Sequence, residues 1–322
     1  MQKFAAPLIV LSLSFVSTDV PAQDQDVPPP WAYVVAPPGF KPPPDDGKLR
    51  RVPDSTATYS VAQTRDRFFA PDWHPDDHPK MPDIVTYGRK PDVFACGFCH
   101  RADGPGGPEN ASLAGLPASY IVQQMVDFKT GARKTAVVER GPGQLMISLA
   151  KGATDAEINI AAEYFAALKP RATIEVIETD IVPKTQVAGV FLADMKTGEK
   201  EPIGNRIIEV PQDLEQFENR DARSRFTAYV PSGSVKKGAA LAAGEDTSKT
   251  VACRTCHGPD LKGFGTAPAL AGRSPSYIVR QLYDFKQGAR AGSAGALMKP
   301  VVDKLTVDDM MVLAAYVASL AP

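Results

Sequence analysis

Long apolar runs are missing from this sequence. The longest candidate, Ala5 to Val16, falls short of the about 20 residues that cross a bilayer. With 43 % hydrophobic and 23 % charged residues, the composition is that of a soluble globular protein and excludes a transporter. An excess of positive charge is missing too. Lys and Arg number 36 against 37 Asp and Glu, a net charge of −1, and this excludes a dominant role on nucleic acid or another polyanion. Neither G-x-x-x-x-G-K-[ST] nor a G-x-G-x-x-G after a strand occurs, so the fingerprints of nucleotide and dinucleotide binding are absent. Cys and His are scarce, at four each, while Pro (30) and Gly (25) are plentiful. A chain of 322 residues is enough for roughly two domains, and the Pro and Gly predict long irregular segments around them.

The N-terminus reads as a targeting segment. Lys3 supplies a positive charge, Ala5 to Val16 a short apolar core, and Val20-Pro21-Ala22 a small-residue cleavage site before the polar Gln23 to Asp26. No Cys follows the cleavage site to carry a lipid. Residues 1–22 are therefore expected to be a signal peptide, leaving an exported chain with no transmembrane segment, located in the periplasm.

All four cysteines fall into two copies of one motif, Cys96-Gly97-Phe98-Cys99-His100 and Cys253-Arg254-Thr255-Cys256-His257. This is C-x-x-C-H, the attachment sequence for c-type haem. Two thiols one helical turn apart form thioethers to the two vinyl groups, and the adjacent His reaches the iron. A thioredoxin-like C-x-x-C or a zinc site would carry no following His, or would need a second Cys pair nearby. Two covalently bound haem c groups are predicted, with His100 and His257 as proximal ligands.

An internal repeat extends the match. Leu113-Ala114-Gly115 and Ser119-Tyr120-Ile121-Val122 correspond to Leu270-Ala271-Gly272 and Ser276-Tyr277-Ile278-Val279; Asp127-Phe128-Lys129 and Gly131-Ala132-Arg133 correspond to Asp284-Phe285-Lys286 and Gly288-Ala289-Arg290. Leu145-Met146 matches Leu297-Met298, with an insertion in the first copy. Met125 aligns with Leu282 and Met310 with Ile158, so both read as packing positions. Met146 and Met298 survive as distal ligands; a thioether favours ferrous iron and raises the potential. Arg133 and Arg290, at matched positions, are candidates to meet haem propionates with their guanidinium forks. Each unit is expected to close with an amphipathic helix, opened by Thr154 with Glu157 and by Thr306 with Asp309. Gly238 is placed to let an N-terminal helix of the second unit cross that helix closely.

On these residues each half resembles a class I cytochrome c domain, and the pair resembles the two-domain di-haem cytochromes of the c4 type. Gln281-Leu282, Phe285, Gly288 and Arg290 carry a pattern shared with that group. The resemblance implies a mainly α fold of two tandem domains and a Pro carbonyl that orients each haem His. Pro268 fits that place in the second half, and Ala111 stands there in the first. The division expected is a Pro-rich N-terminal arm over 23–80, domain 1 over 81–170, an extended linker with short strands over 171–231, and domain 2 over 232–322. In the arm, the cluster Trp73-His74-Pro75-Asp76-Asp77-His78-Pro79 reads as a packed segment, since Pro75 and Pro79 forbid a regular helix that would present a metal site.

Charge is unevenly spread: residues 232–322 carry +4 and residues 23–231 carry −5, an asymmetry that can steer association with oppositely charged partners or can be no more than a solvated surface. The expected function is that of a periplasmic electron carrier working between redox proteins on the dehydrogenase or terminal-oxidase side. A di-haem enzyme such as a peroxidase, or a haem subunit of a periplasmic dehydrogenase, is the alternative. A Cys-ligated haem of the thiosulfate-oxidising kind is excluded, because no cysteine is spare.

Overall fold

The computed structural model of the protein describes residues 27–322; the predicted signal peptide and its cleavage site lie outside the described residues. The arm carries a two-residue hairpin, β1 (Leu49–Arg50) and β2 (Tyr59–Ser60), and α1 (Val61–Arg65). The first helical unit holds α2 (Asp83–Thr86), α3 (Cys96–His100), α4 (Ala118–Thr130), α5 (Gly141–Gly152) and α6 (Asp155–Ala166). The second holds α8 (Ser234–Ala242), α9 (Arg254–His257), α10 (Pro275–Lys286), α11 (Lys299–Val302) and α12 (Val307–Ser319).

Local chemistry sets these boundaries. The capping boxes of α6 and α12 form as the sequence predicts, Thr154 with Glu157 and Thr306 with Asp309, satisfying backbone donors that a helix start leaves orphaned. Gly131 ends α4 in the left-handed conformation. In the first unit α4 packs on α5 and α6, around Ile121, Ile158, Ala162, Phe165 and Leu168. In the second, α12 packs on α8 and α10 around Val279, Tyr283, Met310, Leu313 and Val317. A Cβ on Gly238 would lie 1.9 Å from Val312 O and 2.7 Å from Tyr316 Cβ, so the α8–α12 crossing needs a residue without a side chain.

Residues 171–231 are more folded than an extended linker. They contain β3 (Ile174–Glu178), β4 (Ile181–Pro183), β5 (Thr185–Val187), β6 (Leu192–Asp194), β7 (Lys200–Pro202), β8 (Ile208–Pro211), α7 (Leu214–Glu218) and β9 (Phe226–Val230). A three-stranded sheet runs β3-β9-β8, with β3 parallel and β8 antiparallel to β9. β4 pairs with β7 and β5 with β6. Val182, Ile203, Ile208 and Val210 give this β unit a small core of its own.

The arm is a strap. Trp31, Ala32 and Tyr33 are buried in the core of the second unit, where Tyr33 Oη donates to Asp284 Oδ1 at 2.7 Å and Arg280 Nη1 donates to Ala32 O at 2.8 Å. Further along, Trp73 Nε1 donates to Asn219 O at 2.8 Å, tying the arm to the β unit.

Candidate functional site: paired haem-attachment motifs and the interface between them

Each motif forms a short helix, α3 and α9, at whose end the motif His is buried. His100 Nδ1 lies 2.9 Å from Ala111 O, and His257 Nδ1 lies 2.8 Å from Pro268 O. Both carbonyls stand eleven residues past the His, so an Ala carbonyl does in the first unit what the Pro carbonyl does in the second. Burial pushes His100 down to about 4 and His257 in the same direction, keeping both rings neutral. In a neutral ring whose Nδ1–H is given to a carbonyl, Nε2 carries a free lone pair suited to a metal.

The loop after each His repeats as well. Gly106 N–H donates to His100 O and Gly263 N–H to His257 O. Gly258 follows its His with φ +84°, whereas Arg101 adopts φ +67° in the corresponding place. Left-handed backbone costs a non-Gly residue about 1–2 kcal/mol. The contacts that offset this are an Arg101 Nη1 bond to Phe98 O at 3.2 Å, an ion pair with Glu109 at 3.7 Å and the Phe217 ring 5.0 Å below the guanidinium.

Cys96, Cys99 and Cys253 are half-buried, and burial raises all three thiols, Cys96 to about 12. Met146 is half-buried on α5; Met298 is half-buried between the 3₁₀ turn Gly295–Leu297 and α11, against the second core. Met125 and Met310 pack into the apolar cores.

Arg133 and Arg290 lie at the contact between the two units. Arg133 donates to Gln124 Oε1 at 2.8 Å within its own unit, and to Gln281 Oε1 at 2.9 Å and Tyr277 Oη at 3.1 Å in the other. Arg290 mirrors it, donating to Gln281 Oε1 at 3.1 Å, Gln124 Oε1 at 2.7 Å and Tyr120 Oη at 2.7 Å. Burial alone would push the Tyr277 hydroxyl up, but the two guanidinium groups outweigh it and pull it down. Both arginines are buried, and among the described residues neither forms an ion pair with a carboxylate. Two buried cations on neutral partners are short of anions. A haem, with a metal for the His nitrogens and two propionates, fits that donor set.

Sequence reading missed several members of this interface. Arg273 of the second unit donates to Ser112 O and Ala114 O of the first, at 3.0 and 3.2 Å; Arg280 donates to Pro108 O at 2.5 Å. Gln124 and Gln281 were visible as a matched pair in the repeat. Nothing local marks Arg273 and Arg280 out from surface arginines.

The histidines of the arm go to separate partners. His74 Nε2 lies 3.1 Å from Asp221 Oδ1; His78 Nε2 lies 3.2 Å from Asp72 Oδ1, and its Nδ1 3.1 Å from Tyr164 Oη. Among the described residues no group of three or more His, Cys, Asp or Glu is arranged to hold a metal ion.

The Cytochrome c family model matches residues 235–321. The thiosulfate dehydrogenase electron acceptor of Thiomonas intermedia is 28 % identical over 71 % of this chain and 80 % of its own length. Cytochrome c4 of Azotobacter vinelandii is 27 % identical over 70 % and 83 %. Cytochrome c-554(548) of Halomonas halodenitrificans is 38 % identical over 24 % of this chain and 93 % of its own. Among solved structures, thiosulfate dehydrogenase TsdBA from Marichromatium purpuratum aligns at TM-score 0.48 and 27 % identity, over 73 % of this chain and 38 % of that one. Acidithiobacillus ferrooxidans cytochrome c4 aligns at TM-score 0.46 and 25 % identity, over 70 % and 98 %. The chain belongs to the cytochrome c family and is a di-haem class I cytochrome c of the c4 type, an electron carrier with two covalently bound haem c groups.

Proposed function

We propose that this protein carries electrons in the periplasm between partner redox proteins, with Cys96, Cys99 and His100 holding one haem and Cys253, Cys256 and His257 the other. Met146 and Met298 would supply the second ligand to each iron, and Arg133 and Arg290 would meet propionates at the interface. The domains run over 81–170 and 232–322. The haem supplies a reversible one-electron ferric–ferrous couple. The protein's share is to fix the His tautomer, keep water from the iron and hold the two units in one relative orientation.

The observation that carries this reading is the matched pair of His–carbonyl bonds, His100 to Ala111 and His257 to Pro268. Both units present a neutral imidazole the same way, so on the proximal side neither centre is specialised over the other. No described helix is long and apolar enough to cross a membrane, and the apolar run at Ala5 to Val16 supports export. The name of the Thiomonas relative adds a direction of flow: a dehydrogenase partner supplies the electrons.

A potentiometric titration of the holoprotein followed optically tests the proposal. Two haems per chain titrating as two reversible one-electron steps, with six-coordinate spectra throughout, are expected. A single haem per chain, or a high-spin ferric signal at neutral pH, would overturn it.

A further inference from the structure

The two attachment helices are chemically alike, yet their surroundings differ. α3 is roofed. A Cβ on Gly97 would stand 2.8 Å from Ala70 Cβ and 3.0 Å from Val85 O, so the arm and α2 lie directly on the helix. Arg220, from the turn after α7, places its guanidinium 3.5 Å over the Phe98 ring and bonds Phe98 O and Thr64 O at 2.9 and 2.8 Å. Phe98 is 8 % exposed.

α9 has no such roof. The residues between its cysteines, Arg254 and Thr255, are exposed. The next matched loop position sharpens the contrast. Gly107 is buried where the β unit's Phe217 comes within 2.9 Å of its would-be Cβ, whereas Phe264, its counterpart seven residues past the motif His, is 74 % exposed. Val251 is also exposed, at 55 %. Val251 and Phe264 bracket the attachment helix α9 in the chain, and large apolar side chains left exposed beside a redox centre mark an interaction surface. Arg254 and Lys262, both exposed, flank it with Asp260 the one acid between them; Arg254 is in no ion pair among the described residues, and Lys262 Nζ donates to Pro322 O at 3.0 Å.

From this one-sided cover we infer that the second domain is the electron port, and that its Val251–Arg254–Lys262–Phe264 face docks a redox protein with an apolar centre rimmed by carboxylates. The first domain is served through the interface between the two. One electron is exchanged at each encounter: the reduced partner would lose it and the haem held by Cys253, Cys256 and His257 would take it up, with the haem held by Cys96, Cys99 and His100 next in line and no proton or bond exchanged. Charge complementarity of this kind raises the association rate and makes it salt-dependent. The inference rests on the carrier reading above.

The test uses the two-haem holoprotein and, as probe, an acidic flavodoxin in its hydroquinone form, in stopped flow at low and high salt. The double variant Lys262→Glu/Phe264→Glu is expected to slow bimolecular reduction of both haems at least tenfold and to flatten the salt dependence. Lys90→Glu, on the covered side, is expected to change the rate less than twofold. Dithionite, a small reductant, should reduce all variants alike. If the double variant does not assemble, Val251→Glu on the same face serves in its place. An unchanged rate in the port variants, or an equal slowing by Lys90→Glu, overturns the port. Carbon monoxide binding by the reduced wild type would instead overturn the carrier reading, so the two failures are distinguishable.

Discussion

The backbones of Arg133 and Arg290 pair as an isolated antiparallel bridge, with Lys134 N–H donating to Ala289 O at 2.6 Å and Ala291 N–H to Ala132 O at 2.7 Å. The same turn of the repeat, brought face to face with itself, is thus the join between the two units. The guanidinium groups then cross it, each taking the glutamine of its own unit and the glutamine and tyrosine of the other.

Replacing Arg133 with Met removes three charge-assisted bonds and strands Tyr277 and part of Gln281. A loss of about 2–3 kcal/mol is expected, read by denaturant unfolding of the holoprotein. A double-mutant cycle with Tyr277→Phe should give a coupling of roughly 0.5 kcal/mol or more. Additive losses would show that the bond across the interface contributes nothing.

Gly238 lies under Val312 O. Gly238→Ala forces α8 away from α12, and the resulting overpacking is expected to cost about 1–3 kcal/mol. Calorimetry should show the second unit weakened and the first unaffected. Unchanged stability would contradict the close crossing.

Met298→Ala should leave the haem attached, because the cysteines hold it, while opening that iron to added ligands. A cyanide or imidazole titration followed optically checks this. A spectrum identical to wild type, with no ligand taken up, would remove Met298 from the coordination sphere.

Asp77 gives a pH signature. Arg223 bonds both its oxygens, at 2.8 and 2.9 Å, and Arg171 adds a contact at 2.7 Å; these bonds hold its carboxyl well below the ordinary range. A carboxyl depressed in the folded state stabilises the fold above its unfolded value near 4 and loses that contribution as pH falls. Asp77→Asn should therefore cost roughly 1–3 kcal/mol at pH 7, with the gap to wild type narrowing below about pH 4. Asp103 runs the other way. Burial pushes it up to about 6, so its ionisation opposes folding as pH rises toward that value, and Asp103→Asn should remove that slope. Urea midpoints measured across pH check both.

What the sequence made legible was set by neighbours in the chain. The haem motifs, the capping boxes at Thr154 and Thr306, and the glycine at 238 each need a residue type at a fixed local spacing, and the repeat doubled every such signal. The β unit was half legible: short strands were expected over 171–231, but the parallel pairing of β3 with β9 joins segments separated by about fifty residues and leaves no periodic mark. Arg133 and Arg290 stood out only as a matched pair, since hydrogen bonding to the other unit's tyrosine depends on how the units dock. The cover over α3 had left a trace. Gly97-Phe98 against Arg254-Thr255, and Gly107 against Phe264, are departures from the repeat where one copy is buried by Ala70, Arg220 and Phe217 and the other faces water.

Carbon monoxide binding to the fully reduced holoprotein, followed optically with haem content quantified, tests the central claim most directly. Two haems per chain and no uptake are predicted, because a carrier keeps both irons six-coordinate. Uptake at either haem would contradict the account and identify that domain as an open, enzyme-like site.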